Sequence, residues 1–130
     1  MSEQNVEALR AVYLRWERGD FTAGVSLFDE NIAFAIDPEI PETGVYEGIE
    51  GVRGYMSGFL EPWEKLTIAA KSFEPAGDKV LVSVRQVRTG KGSGVPVELE
   101  YFHLWTFRDG KVVSFETIMR EERARAKLAG

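Results

Sequence analysis

The sequence predicts an α+β fold: a curved antiparallel sheet wrapped around three helices that come first in the chain. Two observations carry this. Up to about Leu60, apolar residues recur at spacings of three and four, the mark of helices with one buried stripe. From Leu66 onward, β-branched and aromatic residues dominate between compact turn signals, which is the texture of successive strands. Helices gathered before strands give an α+β plan, with helices on one face of a sheet. At 130 residues, without repeat or linker, residues 1–130 read as a single domain with one core.

The elements follow in order. Val6, Leu9, Val12, Tyr13 and Trp16 form one stripe of a helix over residues 4–18, which Gly19 ends. Asp20 is suited to cap a second, short helix carrying Phe21, Val25, Leu27 and Phe28, with Gly24 as its weak point. Asp29-Glu30-Asn31 turns the chain into a strand, Ile32 to Ile36, that stops at Asp37 because Pro38 and Pro41 cannot donate to a ladder. A loop to about Gly48 precedes a third helix with Ile49, Val52, Met56, Phe59 and Leu60 on its stripe, closing before Pro62. Four strands complete the chain: residues 66–74; Lys79 to Thr89 after the turn Pro75-Ala76-Gly77-Asp78; Pro96 to Arg108; and Lys111 to Met119 after the hairpin signal Arg108-Asp109-Gly110. Gly90-Lys91-Gly92-Ser93-Gly94 is a flexible loop; it lacks the Gly-Lys-Ser/Thr ending of a phosphate cradle.

Composition excludes several classes of function. Hydrophobic residues at 44% rule out a disordered chain. No apolar run approaches the roughly 20 residues that span a bilayer, and Met1 to Arg10 lacks the basic-then-apolar plan of a signal peptide. With no cysteine, disulfide and thiolate chemistry are excluded, and the expectation is a cytoplasmic protein. A formal charge of −5 disfavours nucleic acid, which needs a basic stripe. A single histidine makes a zinc site unfavourable, and no Gly-x-Ser-x-Gly elbow or glycine fingerprint is present. No metal and no cofactor is expected.

The helix ending Trp16-Glu17-Arg18-Gly19-Asp20-Phe21, the junction Phe34-Ala35-Ile36-Asp37-Pro38, the helix start from Tyr46 to Met56 and the segment from Tyr101 to Glu116 occur in an order that resembles the SnoaL-like polyketide cyclases and ketosteroid isomerases, which share the cone fold of nuclear transport factor 2. The resemblance covers nearly the whole chain. It implies a general base at Asp37, since the isomerases carry theirs at this junction. His103 stands where they carry a protonated acid that donates to the developing oxyanion. That is a departure from the isomerase pattern, as is Val12 in place of the first-helix tyrosine, with Tyr13 one residue on. The epoxide hydrolases of this fold use an Arg-x-Asp pair on one strand, which Ser83 to Gly90 does not offer.

Read from the residues alone, alternation on a strand sends Leu99, Tyr101, His103, Trp105 and Phe107 to one face and Phe102, Leu104 and Thr106 to the other. If the first set faces the helices, His103 is the one titratable ring in an aromatic cavity. A carboxylate there would have its pKa raised by desolvation and would suit proton abstraction at neutral pH. Candidate substrate-binding residues are Tyr13, Trp16, Phe34, Tyr55, Arg85, Tyr101, Trp105 and Glu116. Each has a plainer reading: Trp16, Phe34, Trp63 and Trp105 as packing, Arg85 as a solvated strand residue, Asp37 as a turn-former, His103 as a core histidine. Glu116 is inward if Val112 and Ser114 are, and outward if Val113 and Phe115 face inward; the facing of Glu98 and Glu100 is likewise open. The leading expectation is a cofactor-independent isomerase or aldol cyclase acting on a small hydrophobic carbonyl compound, with Asp37 removing a proton and His103 stabilising the enolate. The competing expectation is a non-catalytic hydrophobic binder or dimerisation module. Either accommodates a homodimer through the outer sheet face at Phe102, Leu104 and Thr106.

Overall fold

The computed structural model describes residues 2–39 and 44–130. Its elements are α1 (Ser2–Glu17), β1 (Phe28–Ile36), β2 (Gly44–Glu47), α2 (Gly48–Leu60), β3 (Trp63–Ala76), β4 (Lys79–Gly90), β5 (Pro96–Arg108), β6 (Lys111–Ile118) and α3 (Glu121–Ala129). The six strands form one curved sheet in the order β2-β1-β6-β5-β4-β3. Neighbours are antiparallel except β1 and β6, which run parallel and make the sheet mixed. The fold is the expected α+β cone.

The core stripe of α1 lies where its spacing put it: Val6, Leu9, Val12, Tyr13 and Trp16 are all buried, against the inner face of β3 and β4. The helix expected after Asp20 does not form. Asp20 instead accepts the backbone N–H and hydroxyl of Thr22 and pairs with Arg15, closing a turn. Gly24 then adopts φ 99°, where a helix cannot continue, and a single 3-10 turn over Val25–Leu27 delivers the chain into β1 four residues earlier than expected. The third helix of the fold is instead α3, which Ala124 and Leu128 anchor on the outer face of the sheet against Leu81, Leu104 and Ile118. Pro41, expected to help end β1, lies outside the described residues.

The hairpin between β5 and β6 turns through Asp109 (φ 52°) and Gly110 (φ 78°), the two left-handed positions of a type I′ turn. Just beyond it, Thr106 pairs with Ser114 but Phe107 with Val112, so Val113 is a bulge. The bulge breaks the two-residue alternation and lets Val112 and Phe115 both join the inner core. Past it, Phe115, Thr117 and Met119 line the cavity while Ile118 packs under α3. Among the described residues, no helix is long and apolar enough to cross a membrane.

Candidate functional site

A cavity with about 120 Å³ of room for the centres of water-sized groups opens between the inner face of the sheet and α2. Trp16, Phe34, Tyr55, Tyr101 and His103 all line it, joined by Leu99, Phe115, Met56 and Phe59. Its polar groups are few: His103, Gln86, Arg88, Thr117, Glu39 and the tyrosines.

His103 is fixed from behind. Its Nδ1 lies 2.6 Å from the Tyr13 hydroxyl, which in turn accepts the Trp105 indole N–H at 2.9 Å. Burial pushes the Tyr13 phenol well above its ordinary value, so it keeps its proton. A hydroxyl owns one proton, and with Trp105 donating to the oxygen that proton goes to His103 Nδ1. Nδ1 is therefore an acceptor, and the ring carries its hydrogen on Nε2. Burial also pushes His103 down to about 3, so the ring is neutral throughout the physiological range. Aromatic rings of Tyr101 and Phe115 meet its edges at centroid distances of 5.2 and 4.7 Å. The result is a neutral imidazole of defined tautomer in an apolar cup. Tyr13 and Trp105, expected on the cavity wall, lie behind it and hold His103.

Asp37 is 3% exposed but is absent from the cavity wall. Its Oδ1 accepts the N–H of Glu39 and its Oδ2 the N–H of Met119, both at 2.9 Å, and Arg123 stands 3.6 Å from Oδ2. Burial raises the carboxyl's affinity for a proton, but those two N–H groups, with Arg123 and Arg120, outweigh it and hold the group below its ordinary value. The backbone N–H of Asp37 donates to Thr117 Oγ1 at 2.9 Å. Asp37 thus ties the end of β1 to the end of β6 and positions Glu39, whose side chain does reach the cavity and pairs with Arg120 at 2.9 Å.

Three carboxylates and one arginine lie on the outside. Arg85 forks onto Glu98 at 2.7 and 2.8 Å, Glu100 pairs with Lys71, and Glu116 pairs with Lys127 of α3 at 2.6 Å. For Arg85 the cause is parity: Val80, Val82 and Val84 occupy the inner face of β4, so odd-numbered positions point out. Glu116 is turned outward by the bulge at Val113.

The same parity brings in two residues that the sequence reading passed over. Gln86 and Arg88 continue the inner row of Val80, Val82 and Val84, and both line the cavity. Gln86 donates to the Tyr101 hydroxyl at 2.7 Å while its Oε1 has no partner among the described residues. The Arg88 guanidinium stacks 4.4 Å over the Trp63 ring, and its buried Nε likewise has no partner among the described residues. Counting Val–x–Val–x–Val–x–Gln–x–Arg from Val80 would have found them. Among the described residues, no group of three or more His, Asp or Glu side chains is gathered as metal ligands.

A model of the SnoaL-like domain matches residues 9–115. The chain belongs to the SnoaL-like family. Solved structures share its fold at low identity. A putative SnoaL-like polyketide cyclase from Jannaschia sp. CCS1 superposes with a TM-score of 0.78 at 17% identity, covering 99% of this chain and 94% of that one. TerC, co-crystallised with polyporic acid, gives 0.75 at 23%, covering 95% and 96%. A hypothetical protein with a ketosteroid isomerase-like fold from Catenulispora acidiphila DSM 44928, in complex with trimethylamine, gives 0.74 at 16%, covering 99% and 95%. Among curated proteins, none matches the sequence significantly. The family includes polyketide cyclases and isomerases, and structures of this fold hold small molecules.

Proposed function

We propose that this SnoaL-like chain binds a small, largely apolar carbonyl compound in its cavity and promotes loss of a proton from the carbon next to that carbonyl. The observation that carries the reading is the Trp105–Tyr13–His103 chain of hydrogen bonds, which presents a neutral Nε2–H from a desolvated ring. Such a donor stabilises negative charge developing on a carbonyl oxygen more strongly than it does the neutral ground state. The proton leaves the α-carbon for Glu39, the one carboxylate among the described residues that line the cavity, and returns from it to the enolate. Isomerisation and intramolecular aldol closure both begin with this step. In this reading Asp37 is a positioning residue, since its two oxygens are occupied by N–H groups.

That engagement of Asp37 also favours a second reading, in which the same cavity holds a ligand unchanged. Exchange of the α-protons of 2-acetonaphthone in D2O, followed by NMR, separates the two. The expected result is exchange faster than in buffer, lost in His103→Ala and strongly reduced in Glu39→Gln. A ketone that perturbs the His103 ring resonances, yet exchanges at the buffer rate, leaves the binder. Within the cytoplasm a homodimer through the outer face of the sheet would have to form around α3, which already covers Leu104.

A further inference from the structure

We infer that the cavity recognises an anionic group, a carboxylate or a comparable acid, through Arg88, at the end of the ligand remote from the carbonyl. This rests on the reading of the cavity as a carbonyl-binding site and names the class of compound within it.

Three buried side-chain polar atoms lack a hydrogen-bond partner among the described residues: Gln86 Oε1, Arg88 Nε and Trp63 Nε1. They are not scattered. Gln86 and Arg88 are neighbours on the inner row of β4, and Trp63 is the ring on which the Arg88 guanidinium lies. Buried polar groups are ordinarily satisfied, so a cluster of unsatisfied ones facing a cavity marks where a ligand's polar atoms belong. The charge decides what kind. Arg88 forms no ion pair with a described residue, whereas Arg85, Arg120, Arg123 and Arg125 each stand within 4 Å of a carboxylate. Its partners in the ladder are Leu66 and Val97, neither of them an acid. The acids of β5, Glu98 and Glu100, are on the other face with Arg85 and Lys71. Glu39, on the opposite wall, is paired with Arg120. Stacking on Trp63 fixes the plane of the guanidinium and leaves its N–H edge for an oxyanion, which a planar fork binds better than a neutral oxygen.

The register gives the ligand a length. His103 faces Val82, and Arg88 lies six residues further along β4, about 20 Å at the rise of a strand. With side chains of both residues reaching inward, a carbonyl at His103 and an acid at Arg88 are separated by roughly 10–20 Å, the lower figure where the two side chains lean towards each other. The lower figure is the span of two fused rings with a polar group at each end, in keeping with an apolar wall between the two polar ends.

The test uses 6-acetyl-2-naphthoate and its methyl ester, which share the ketone and differ in charge, in calorimetric titrations of the full chain. The unmodified chain is expected to bind the acid about tenfold tighter than the ester, as for a charge-assisted bond gained. Arg88→Met should abolish that preference, bringing the acid's affinity to about that of the ester, and Arg88→Lys should keep part of it. Should Arg88→Met fold poorly, the acid-to-ester ratio in the unmodified chain alone decides. Equal affinities there, or a preference that survives Arg88→Met, overturn the inference. If the ester shifts the His103 resonances and the acid binds no better, the anion site fails and the carbonyl reading stands. If neither ligand binds, both fail. If the acid is preferred through Arg88 but leaves His103 untouched, the anion site stands and the carbonyl reading fails.

Discussion

Replacing Tyr13 by Phe removes one oxygen and breaks two buried bonds at once. The Trp105 N–H loses its acceptor and His103 Nδ1 its donor, and both residues are at most 2% exposed, so water cannot substitute without opening the core. Each orphaned buried group costs about 1–3 kcal/mol, so the pair costs roughly 2–4 kcal/mol allowing for some relaxation. Over 130 residues, an unfolding entropy of about 2.1 cal/mol/K per residue makes 1 kcal/mol equal to about 4 °C. The expected fall in Tm is therefore about 8–15 °C by calorimetry. The tautomer is the sharper readout. In the unmodified chain, nitrogen NMR should find His103 Nδ1 unprotonated and Nε2 protonated across neutral pH; in Tyr13→Phe the ring should become a mixture, and α-proton exchange of the ketone should fall with it. A Tm lowered by less than about 2 °C, or a His103 protonated on Nδ1 in the unmodified chain, would refute the reasoning.

Three other outcomes are expected. The chain has one histidine, and its folded value is near 3 against an ordinary 6.5; the unfolded chain thus binds a proton that the folded chain refuses, and stability is full above 6.5 and falls as pH drops from there toward 3. Denaturant midpoints at successive pH values should show that slope already just below 6.5, and a flat profile there would place the ring in water. Asp37→Asn replaces one acceptor oxygen by an amide N–H facing Glu39 or Met119 and weakens the tie to Arg123, so it should cost about 1–3 kcal/mol of stability while α-proton exchange at saturating ketone is largely retained; loss of exchange without loss of stability would return Asp37 to the role of base. Truncation after Arg120 uncovers Leu81, Leu104 and Ile118 and should convert the chain to an associating species in light scattering, as an exposed apolar patch requires; an unchanged mass and Tm would mean that α3 covers nothing of consequence.

The parts of this fold that were legible in the sequence are those where one periodicity runs unbroken. The α1 stripe and the β5 alternation put Trp16, Tyr101 and His103 on the cavity side from spacing alone. What was illegible depends on single backbone events. The left-handed Gly24 cancels a helix that its neighbours would form, and the bulge at Val113 reverses the facing of every later residue of β6, so Glu116 could not be oriented from pattern. Gln86 and Arg88 were legible too, since they continue the alternation of Val80, Val82 and Val84 by two further steps. The C-terminal helix was hidden by charge. In Glu121 to Ala129 only Ala124 and Leu128 are buried against the sheet, while polar pairs such as Arg125–Glu74 and Lys127–Glu116 hold the helix from its charged side and leave no apolar stripe to read.

Asp37 and His103 are nearly equally buried, at 3% and 2%, and the sequence casts them as a base and its partner. Burial alone would neutralise both. It succeeds with His103, whose surroundings are a phenol and aromatic rings that carry no negative charge to compensate a cation. It fails with Asp37, because two backbone N–H groups and the nearby guanidinium groups of Arg123 and Arg120 compensate the charge where it sits. A carboxylate so compensated is a poor proton acceptor, since taking a proton would forfeit those bonds. A neutral imidazole with its Nδ1 already occupied has one productive option, to donate from Nε2. The chemistry open to the cavity is therefore set by a hydrogen-bond donor held ready behind an apolar wall. Among the described residues that line the cavity Glu39 is the one carboxylate, and it is the acceptor on which the proposed proton transfer calls, its ion pair with Arg120 having to open for the purpose.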